Sequence, residues 1–304
     1  MVNRNNKPTL TIGIPAYNEE GNIEKIIKSL FLQKEYNFEL QKILVVSDSS
    51  TDNTNTILKT IKHTKFEYMI MNKRSGQPNV QNEIIKKSNS DLLLLLNADV
   101  LLPDKYFLEN LISEIKLFDK DNVGIVSVET VSATPKSFFE RVIVDGREFK
   151  KFAYKTWKQG NNIYMCHGRG RLFFRRFYKN FVWDDKYPED AYSYLKCLKK
   201  GFLFKFIKKP KIIFRSPSVF QDYKKQSDRY YEGKKKLLKI YNKNLIEKEY
   251  KVPVLIWVYA FLKNIITHPL FLGYILIYIY NFFNKKYSNR RYSIWDFSLS
   301  SKKI

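Results

Sequence analysis

Three apolar runs, at residues 10–14, 43–46 and 92–96, each end in a short polar cluster: Pro15-Ala16-Tyr17-Asn18-Glu19, Ser47-Asp48-Ser49-Ser50-Thr51-Asp52 and Asn97-Ala98-Asp99. This repetition most constrains the fold. In an open α/β sheet, ligands bind in the crevice beyond the carboxyl ends of the strands, so side chains following successive strands converge on one place. One acidic loop is unremarkable, but three in register predict a binding site.

Between the runs the apolar period becomes helical. Asn22 is a candidate N-cap, and Ile23, Ile26, Ile27 and Leu30 then share a face. Ile57, Leu58 and Ile61 do so in a second segment, Val80, Ile84 and Ile85 in a third, and Phe107, Leu108, Leu111, Ile112 and Ile115 in a fourth opened by Pro103-Asp104. With further strands at 66–71 and 123–128, strand and helix alternate to about residue 128. That pattern predicts an α/β fold, a Rossmann-like, mostly parallel sheet with helices on both faces.

A length of 304 residues allows one or two domains, and 16% aromatic content argues against disorder. The net charge of +24 attracts anions, but nucleic acid, anionic headgroups and nucleotide phosphates all qualify. No module with aromatics interleaved among base-contacting arginines is present, so nucleic acid is not the expected partner. Cys166 and Cys197 lack Cys-x-x-Cys spacing and read as free structural thiols, and His63, His167 and His268 are too scattered for a histidine-rich metal site. Residues 1–9 are polar and carry no secretory signal, so the first domain is expected in the cytoplasm.

From 252 to 283 the chain is strongly apolar, broken at Lys263-Asn264 and Thr267-His268-Pro269. Residues 265–283 are just long enough for one spanning helix. Yet Lys234-Lys235-Lys236 and Lys239 lie before the apolar stretch and Lys285-Lys286 and Arg290-Arg291 after it, which disfavours placing the flanks on opposite sides. A re-entrant hairpin hinged near residues 263–269 and an in-plane interfacial segment both satisfy this pattern, and membrane contact is expected in either case.

Asp99 stands at a strand tip, where one carboxylate plus substrate phosphates suffices to hold Mg²⁺ or Mn²⁺, although an aspartate there could also start a turn. Asp48, Asp52 and the intervening hydroxyls suit a base and ribose, and Asp52 could equally cap the following helix. Together, Ile14-Pro15-Ala16-Tyr17-Asn18-Glu19-Glu20, Val45-Val46-Ser47-Asp48-Ser49-Ser50-Thr51-Asp52-Asn53-Thr54 and Leu96-Asn97-Ala98-Asp99-Val100 resemble the sugar-nucleotide half of the family 2 inverting glycosyltransferases. The resemblance covers about residues 8–235 in motif order and implies a glycosyltransferase A-type fold.

By that resemblance Pro15, Tyr17 and Glu19 cradle the nucleoside and Asp48 faces the base. Gly76 and Asn82 match a Gly-Lys-x-x-Ala-x-Asn segment in which Gln77 replaces the lysine. Asp99 matches the metal-binding last aspartate of Asp-x-Asp, with Asn97 in place of the first. Ser49 stands where a glycine is common.

The second half supplies the acceptor side. Tyr187-Pro188-Glu189-Asp190-Ala191 precedes a helical pattern that ends at Gly201, where acidic residues would stabilise the N-terminus in any case. The segment also resembles the family's Glu-Asp motif, which implies Asp190 as general base and Glu189 beside the acceptor. Cys166-His167-Gly168-Arg169-Gly170-Arg171 looks like the family's glycine-rich turn, or is a plain hairpin. Gln226-Ser227-Asp228-Arg229-Tyr230 resembles the Gln-x-x-Arg-Trp motif of membrane-associated members, which puts Arg229 on the diphosphate and Gln226 and Tyr230 at the acceptor; the alternative is a basic helix face.

The expectation is a membrane-associated, metal-dependent transferase taking a UDP-hexose or UDP-N-acetylhexosamine donor and a glycan or lipid-linked acceptor. Its catalytic domain would span 1–245, with a donor half at about 8–128 and an acceptor half at about 129–245, followed by a membrane segment at 246–304. Too few spanning segments are present for polymer translocation without membrane partner subunits. A polyprenyl-phosphate sugar synthase and a non-catalytic basic scaffold are the alternatives.

Overall fold

Five consecutive leucines, Leu92–Leu96, form a strand whose side chains are all buried, because helices cover both faces of the sheet. Leu92, Leu94 and Leu96 join Ile23, Ile27, Leu108 and Leu111 in one core, while Leu93 and Leu95 join Val80, Ile84 and Leu195 in the other. In the computed structural model, which describes residues 7–118, 121–284, 300 and 302, this strand is β4. Before it come β1 (Thr9–Ala16), α1 (Ile23–Phe31), β2 (Glu39–Ser47), α2 (Thr54–Thr60), β3 (Phe66–Ile70) and α3 (Gln77–Lys87). After it come β5 (Val100–Leu101), α4 (Phe107–Lys116), β6 (Val123–Ser132), α5 (Phe138–Thr156), β7 (Gly170–Phe174) and α6 (Arg175–Tyr178). The chain continues through α7 (Glu189–Lys199), β8 (Leu203–Phe214), α8 (Phe220–Leu237), α9 (Lys243–Tyr250), α10 (Val254–Thr267) and α11 (Phe271–Phe283).

The strand order is β3-β2-β1-β4-β7-β6-β8-β5. Strands β3, β2, β1 and β4 run parallel, as the alternation predicts. Beyond β4 the expectation of a mostly parallel sheet is corrected. β7 inserts antiparallel between β4 and β6, β8 runs parallel to β6, and β5 pairs antiparallel with β8, so the sheet is mixed. β7 returns after the long α5 connection rather than through a short crossover helix, and local periodicity carries no record of such a return. Flanked by β2 and β4, β1 brings the loops after all three strands to one edge, where the site is built.

The apolar C-terminal stretch forms two helices and not one. The chain leaves α10 at His268, whose φ/ψ of −141°/58° is not helical, and re-enters a helix after Pro269-Leu270, within the hinge expected from the sequence. No helix of the described residues is long and apolar enough to cross a membrane. Both helices pack on α5. Gly146 is required there, since a Cβ at that position would lie 1.9 Å from the Tyr274 ring of α11. Ser137 caps α5 by accepting from the Glu140 amide (3.1 Å), and Glu140 pairs with Arg215 (2.9 Å) in the interior, which fixes this helix against the end of β8. The outer faces of α10 and α11 expose Leu255, Ile266, Leu276 and Phe283. The basic flank Lys285-Lys286 and Arg290-Arg291 lies outside the described residues.

Candidate active site

The loops after β1 and β2 are stitched into one rim. The Asn18 amide donates to the Ser50 hydroxyl (3.1 Å), the Thr51 amide to Asn18 Oδ1 (2.8 Å) and the Glu19 amide to the Thr54 hydroxyl (2.7 Å). Asp52 accepts from the amides of Glu20 (3.1 Å) and Thr54 (3.0 Å), so it serves the start of α2. The Ser47 and Ser50 hydroxyls bond each other at 2.9 Å. The hydroxyl-rich loop read as suited to ribose thus uses much of its hydrogen bonding to hold its own shape. Ser49 adopts φ 57°, the left-handed conformation that explains why glycine fits this position.

Asp48 is placed at the rim, but its carboxylate acts as a clamp. Oδ1 accepts from the Ser75 amide (2.7 Å) and hydroxyl (3.0 Å), and Oδ2 from the Gly76 amide (2.8 Å). Gly76 has φ 89° and ends the loop before α3. The loop so held sets the Arg74 guanidinium 3.9 Å from the centre of the Tyr17 ring, and Pro15 lies part-exposed in β1. Asn82 faces elsewhere. Its amide exchanges hydrogen bonds with the Trp183 backbone (2.9 and 2.8 Å), which ties α3 to the segment before α7.

Asp99 stands between β4 and β5, close enough to influence Glu19. Burial first, then the Asp99 charge, pushes the Glu19 carboxyl up from 4.5 to about 7, against Lys302, whose amine sits 2.7 Å away. Lys302 also donates to the carbonyls of Tyr17 (2.5 Å) and Asn18 (2.8 Å). Among the described residues no three-ligand His/Cys/Asp/Glu cluster exists. Glu19 is engaged by Lys302, so the strand-tip carboxylate of Asp99 is the group here that fits a Mg²⁺ or Mn²⁺ whose remaining ligands are substrate phosphates.

The Glu19 shift has a measurable sign. Between about pH 4.5 and 7 the native state holds a proton that the unfolded chain releases, so Glu19 costs stability as pH rises and the full cost is present above pH 7. Glu19→Gln is therefore expected to be more stable than wild type at about pH 8, by roughly 1–3 kcal/mol, with the gain shrinking toward about pH 5. Denaturant unfolding at the two pH values measures it, and a pH-independent difference would contradict the assignment.

Beside this rim opens a cavity of about 1030 Å³. Asn97, Gln77, Glu189, Asp190, Gln226, Arg229 and the half-exposed Tyr230 line it, so residues singled out in the sequence on α7 and α8 share one cavity. Pro15, Tyr17, Glu19, Asp48 and Gly76 stand outside its walls, and Gln77, 3.4 Å from Asn97 Oδ1, marks the junction.

Asp190 Oδ1 accepts from the Ala191 amide (2.7 Å) at the first turn of α7. The Glu189 carbonyl is held by the Trp183 indole (2.9 Å) and Arg171 (3.2 Å). Burial, then the Asp190 charge, raises the Glu189 carboxyl above its ordinary range, offset by Arg171 and Arg229. This carboxyl lies over Gly168, where a Cβ would come 2.6 Å from Glu189 Oε1. Sequence reasoning missed Arg147, Lys150 and Tyr154 of α5, which also line the cavity. Their helical spacing from Ile143 is the signal that places them on one face.

Residues 11–182 match the model of the glycosyl transferase family 2. Among curated proteins, the poly-β-1,6-N-acetyl-D-glucosamine synthase of Staphylococcus aureus is 28% identical over 112 residues, 36% of this chain and 26% of that protein. Glycosyltransferase AglE of Haloferax volcanii is 29% identical over 119 residues, 38% of each chain. The matched region is therefore well under half of either relative. Among solved structures, the mannosyltransferase PcManGT of Pyrobaculum calidifontis, in complex with GDP-Man and Mn²⁺, superposes with a TM-score of 0.61 at 17% identity, covering 88% of this chain and 73% of that one. S. aureus TarS in complex with UDP-GlcNAc gives 0.51 at 14% identity, covering 79% and 69%. At these identities the structures establish a shared fold.

Proposed function

We propose that this chain, which belongs to glycosyl transferase family 2, is an inverting transferase that moves a hexose or N-acetylhexosamine from a nucleoside diphosphate, UDP by preference, to a hydroxyl of a glycan or lipid-linked acceptor. The observation that carries this reading is the junction at Asn97 and Gln77, where the rim after β1, β2 and β4 meets the cavity holding Glu189 and Asp190. A group transferred from one side can meet a nucleophile held on the other. The solved relatives with GDP-Man and with UDP-GlcNAc support a nucleotide-sugar donor.

In the proposed step the acceptor oxygen attacks the anomeric carbon from the face opposite the nucleoside diphosphate. Asp190 takes the hydroxyl proton, the bond to the β-phosphate oxygen breaks, and its electron pair leaves with the diphosphate. Glu189, driven toward its protonated form, leaves Asp190 as the carboxylate of the pair that receives the proton. Arg229 faces the departing diphosphate. Asp99 would hold a Mg²⁺ or Mn²⁺ ion, which supplies charge neutralisation to that diphosphate when bound.

Membrane association belongs to the same proposal. The outward apolar faces of α10 and α11 and a net charge of +24 support an in-plane hairpin on the cytoplasmic face of an anionic bilayer, to which each nearby lysine contributes roughly 1 kcal/mol. Passage of a polymer across that bilayer is assigned to membrane partner subunits rather than to these two short helices.

Calorimetric titration with UDP and with GDP, each with and without Mn²⁺, tests the donor half. At least one nucleotide is expected to bind about tenfold or more tightly with metal, the effect of one or two added phosphate–metal contacts. Failure of both to bind with metal present would contradict the reading.

A further inference from the structure

We propose that Arg171 is a positioning residue for the transfer, a fixed counter-charge sealed beneath the first turn of α7 that acts through the Glu189 and Asp190 carboxylates. This rests on the reading of Asp190 as the proton acceptor and names a further residue on which that acceptor depends.

Arg171 belongs to β7, where it pairs with Leu95 of β4 on one side and Ser127 of β6 on the other. It is 0% exposed and takes no part in the cavity wall. The guanidinium lies 5.6 Å from the centre of the Phe173 ring and 5.8 Å from that of Trp183. Such a place is ordinarily filled by an apolar residue. Nη1 donates to the Ser193 hydroxyl (2.8 Å) and to the Glu189 carbonyl (3.2 Å), while Nε and Nη2 have no hydrogen-bond partner among the described residues. Arg215, buried elsewhere in the interior, by contrast reaches the Glu140 carboxylate at 2.9 Å.

Stability does not account for a cation here. Burying a guanidinium without a paired carboxylate is costly, and the N-terminal end of a helix carries a partial positive charge that repels it. Nor are its two hydrogen bonds indispensable. The Glu189 carbonyl also accepts from the Trp183 indole (2.9 Å), and the Ser193 hydroxyl also donates to the Asp190 carbonyl (2.8 Å), so the first turn stays tied without Arg171. Arg169 and Arg229 are cations too, but they line the cavity, where water and substrate screen them. What no other group duplicates is a charge out of reach of water.

That charge has carboxylates to act on. A Cβ at Gly168 would come 2.6 Å from Glu189 Oε1 and 3.8 Å from Arg171 Nη2, so the carboxyl and the unpartnered N–H groups flank one backbone point. Burial and then the Asp190 charge raise the Glu189 carboxyl, and Arg171 is the strongest opposing influence, ahead of Arg229. The other titratable groups near the guanidinium are neutral, because burial holds the Cys166 thiol up to about 12 and the His167 imidazole down to about 3. Two buried carboxyls side by side tend to take up protons, and a cation beneath them keeps one ionised. Arg171 thus maintains the negative charge that Asp190 needs to receive the proton of an acceptor hydroxyl.

The test compares wild type, Arg171→Met and Arg171→Lys in the full chain. Acceptor-dependent nucleotide release is followed with a donor that the wild type turns over. The acid limb of the kcat/KM profile is expected to move up by about one pH unit in Arg171→Met, a loss of about tenfold at acid pH. Arg171→Lys, which keeps the charge without the fork, is expected to recover at least half of that shift. A uniform loss at every pH with the limb unmoved, or an Arg171→Met chain that fails to fold, marks a merely structural residue and would overturn the proposal. Denaturant unfolding across about pH 5–8 needs no turnover. The Glu189 carboxyl is raised above 4.5, so it costs stability as pH rises past that value, and without Arg171 the cost grows. The unfolding midpoint of Arg171→Met is therefore expected to fall more steeply with pH than that of wild type, and Glu189→Gln to remove most of the difference. An unchanged slope overturns the counter-charge whatever the enzyme does. A steeper slope in a chain that turns over no donor leaves the counter-charge standing and contradicts the transferase reading instead.

Discussion

Asp190→Asn is expected to lower acceptor-dependent nucleotide release by about 10²–10⁴-fold, the usual contribution of a positioned general base, while nucleotide binding stays as in wild type. The substitution is nearly isosteric. The amide oxygen can still accept from the Ala191 amide, as Asp190 Oδ1 does at 2.7 Å, so the start of α7 is preserved and what is lost is proton affinity. Glu189 cannot take over easily, because burial keeps its carboxyl toward the protonated form. The experiment also separates the leading reading from its rival. If the nucleophile were a polyprenyl phosphate it would already be an anion, and Asp190→Asn would leave transfer nearly intact. Steady-state release of nucleotide with and without acceptor distinguishes the two.

Asp99→Ala carries the second large effect. Removing the strand-tip carboxylate is expected to reduce nucleotide release by about 10²-fold or more and to make nucleotide affinity insensitive to Mn²⁺, since one of the few protein ligands on the diphosphate side is gone. No hydrogen bond from the Asp99 side chain to another described residue is present, so the fold should tolerate the change. A second readout follows from electrostatics. The Asp99 charge is the next contributor after burial to the raised Glu19 carboxyl, and its removal should bring the pH at which Glu19 costs stability down from about 7. A variant that keeps both its metal response and its pH profile would show that Asp99 is a turn residue.

Much of the donor half was legible because its signals are local. Runs such as Leu92–Leu96 end in the clusters that form the rim, and helix periodicity supplied the faces that bury Ile23 and Leu108. What local signals cannot give is the target of a polar side chain. Asp48 and Asn82 carry family-like positions, yet one clamps the Ser75-Gly76 loop and the other ties down Trp183. The antiparallel place of strand β7 between β4 and β6 is a long-range pairing that no local signal carries. The hinge of the apolar tail was visible at Pro269, whereas the packing of Tyr274 on Gly146 was not, because it joins segments far apart in sequence. Arg147 and Lys150 went unremarked for a related reason. On a lysine-rich chain of net charge +24, a cation turned inward looks like any other until the helix has been placed.

Two half-sites that meet at Asn97 and Gln77 make one claim, that a sugar leaves a nucleotide on one side for a hydroxyl on the other. A panel of UDP- and GDP-sugars incubated with wild type in detergent or membranes, with Mn²⁺ or Mg²⁺, tests it by release of free nucleotide. The account predicts that at least one donor is turned over and that Asp99→Ala suppresses the release. No release from any donor by the wild type, under conditions where nucleotide binds, would contradict it.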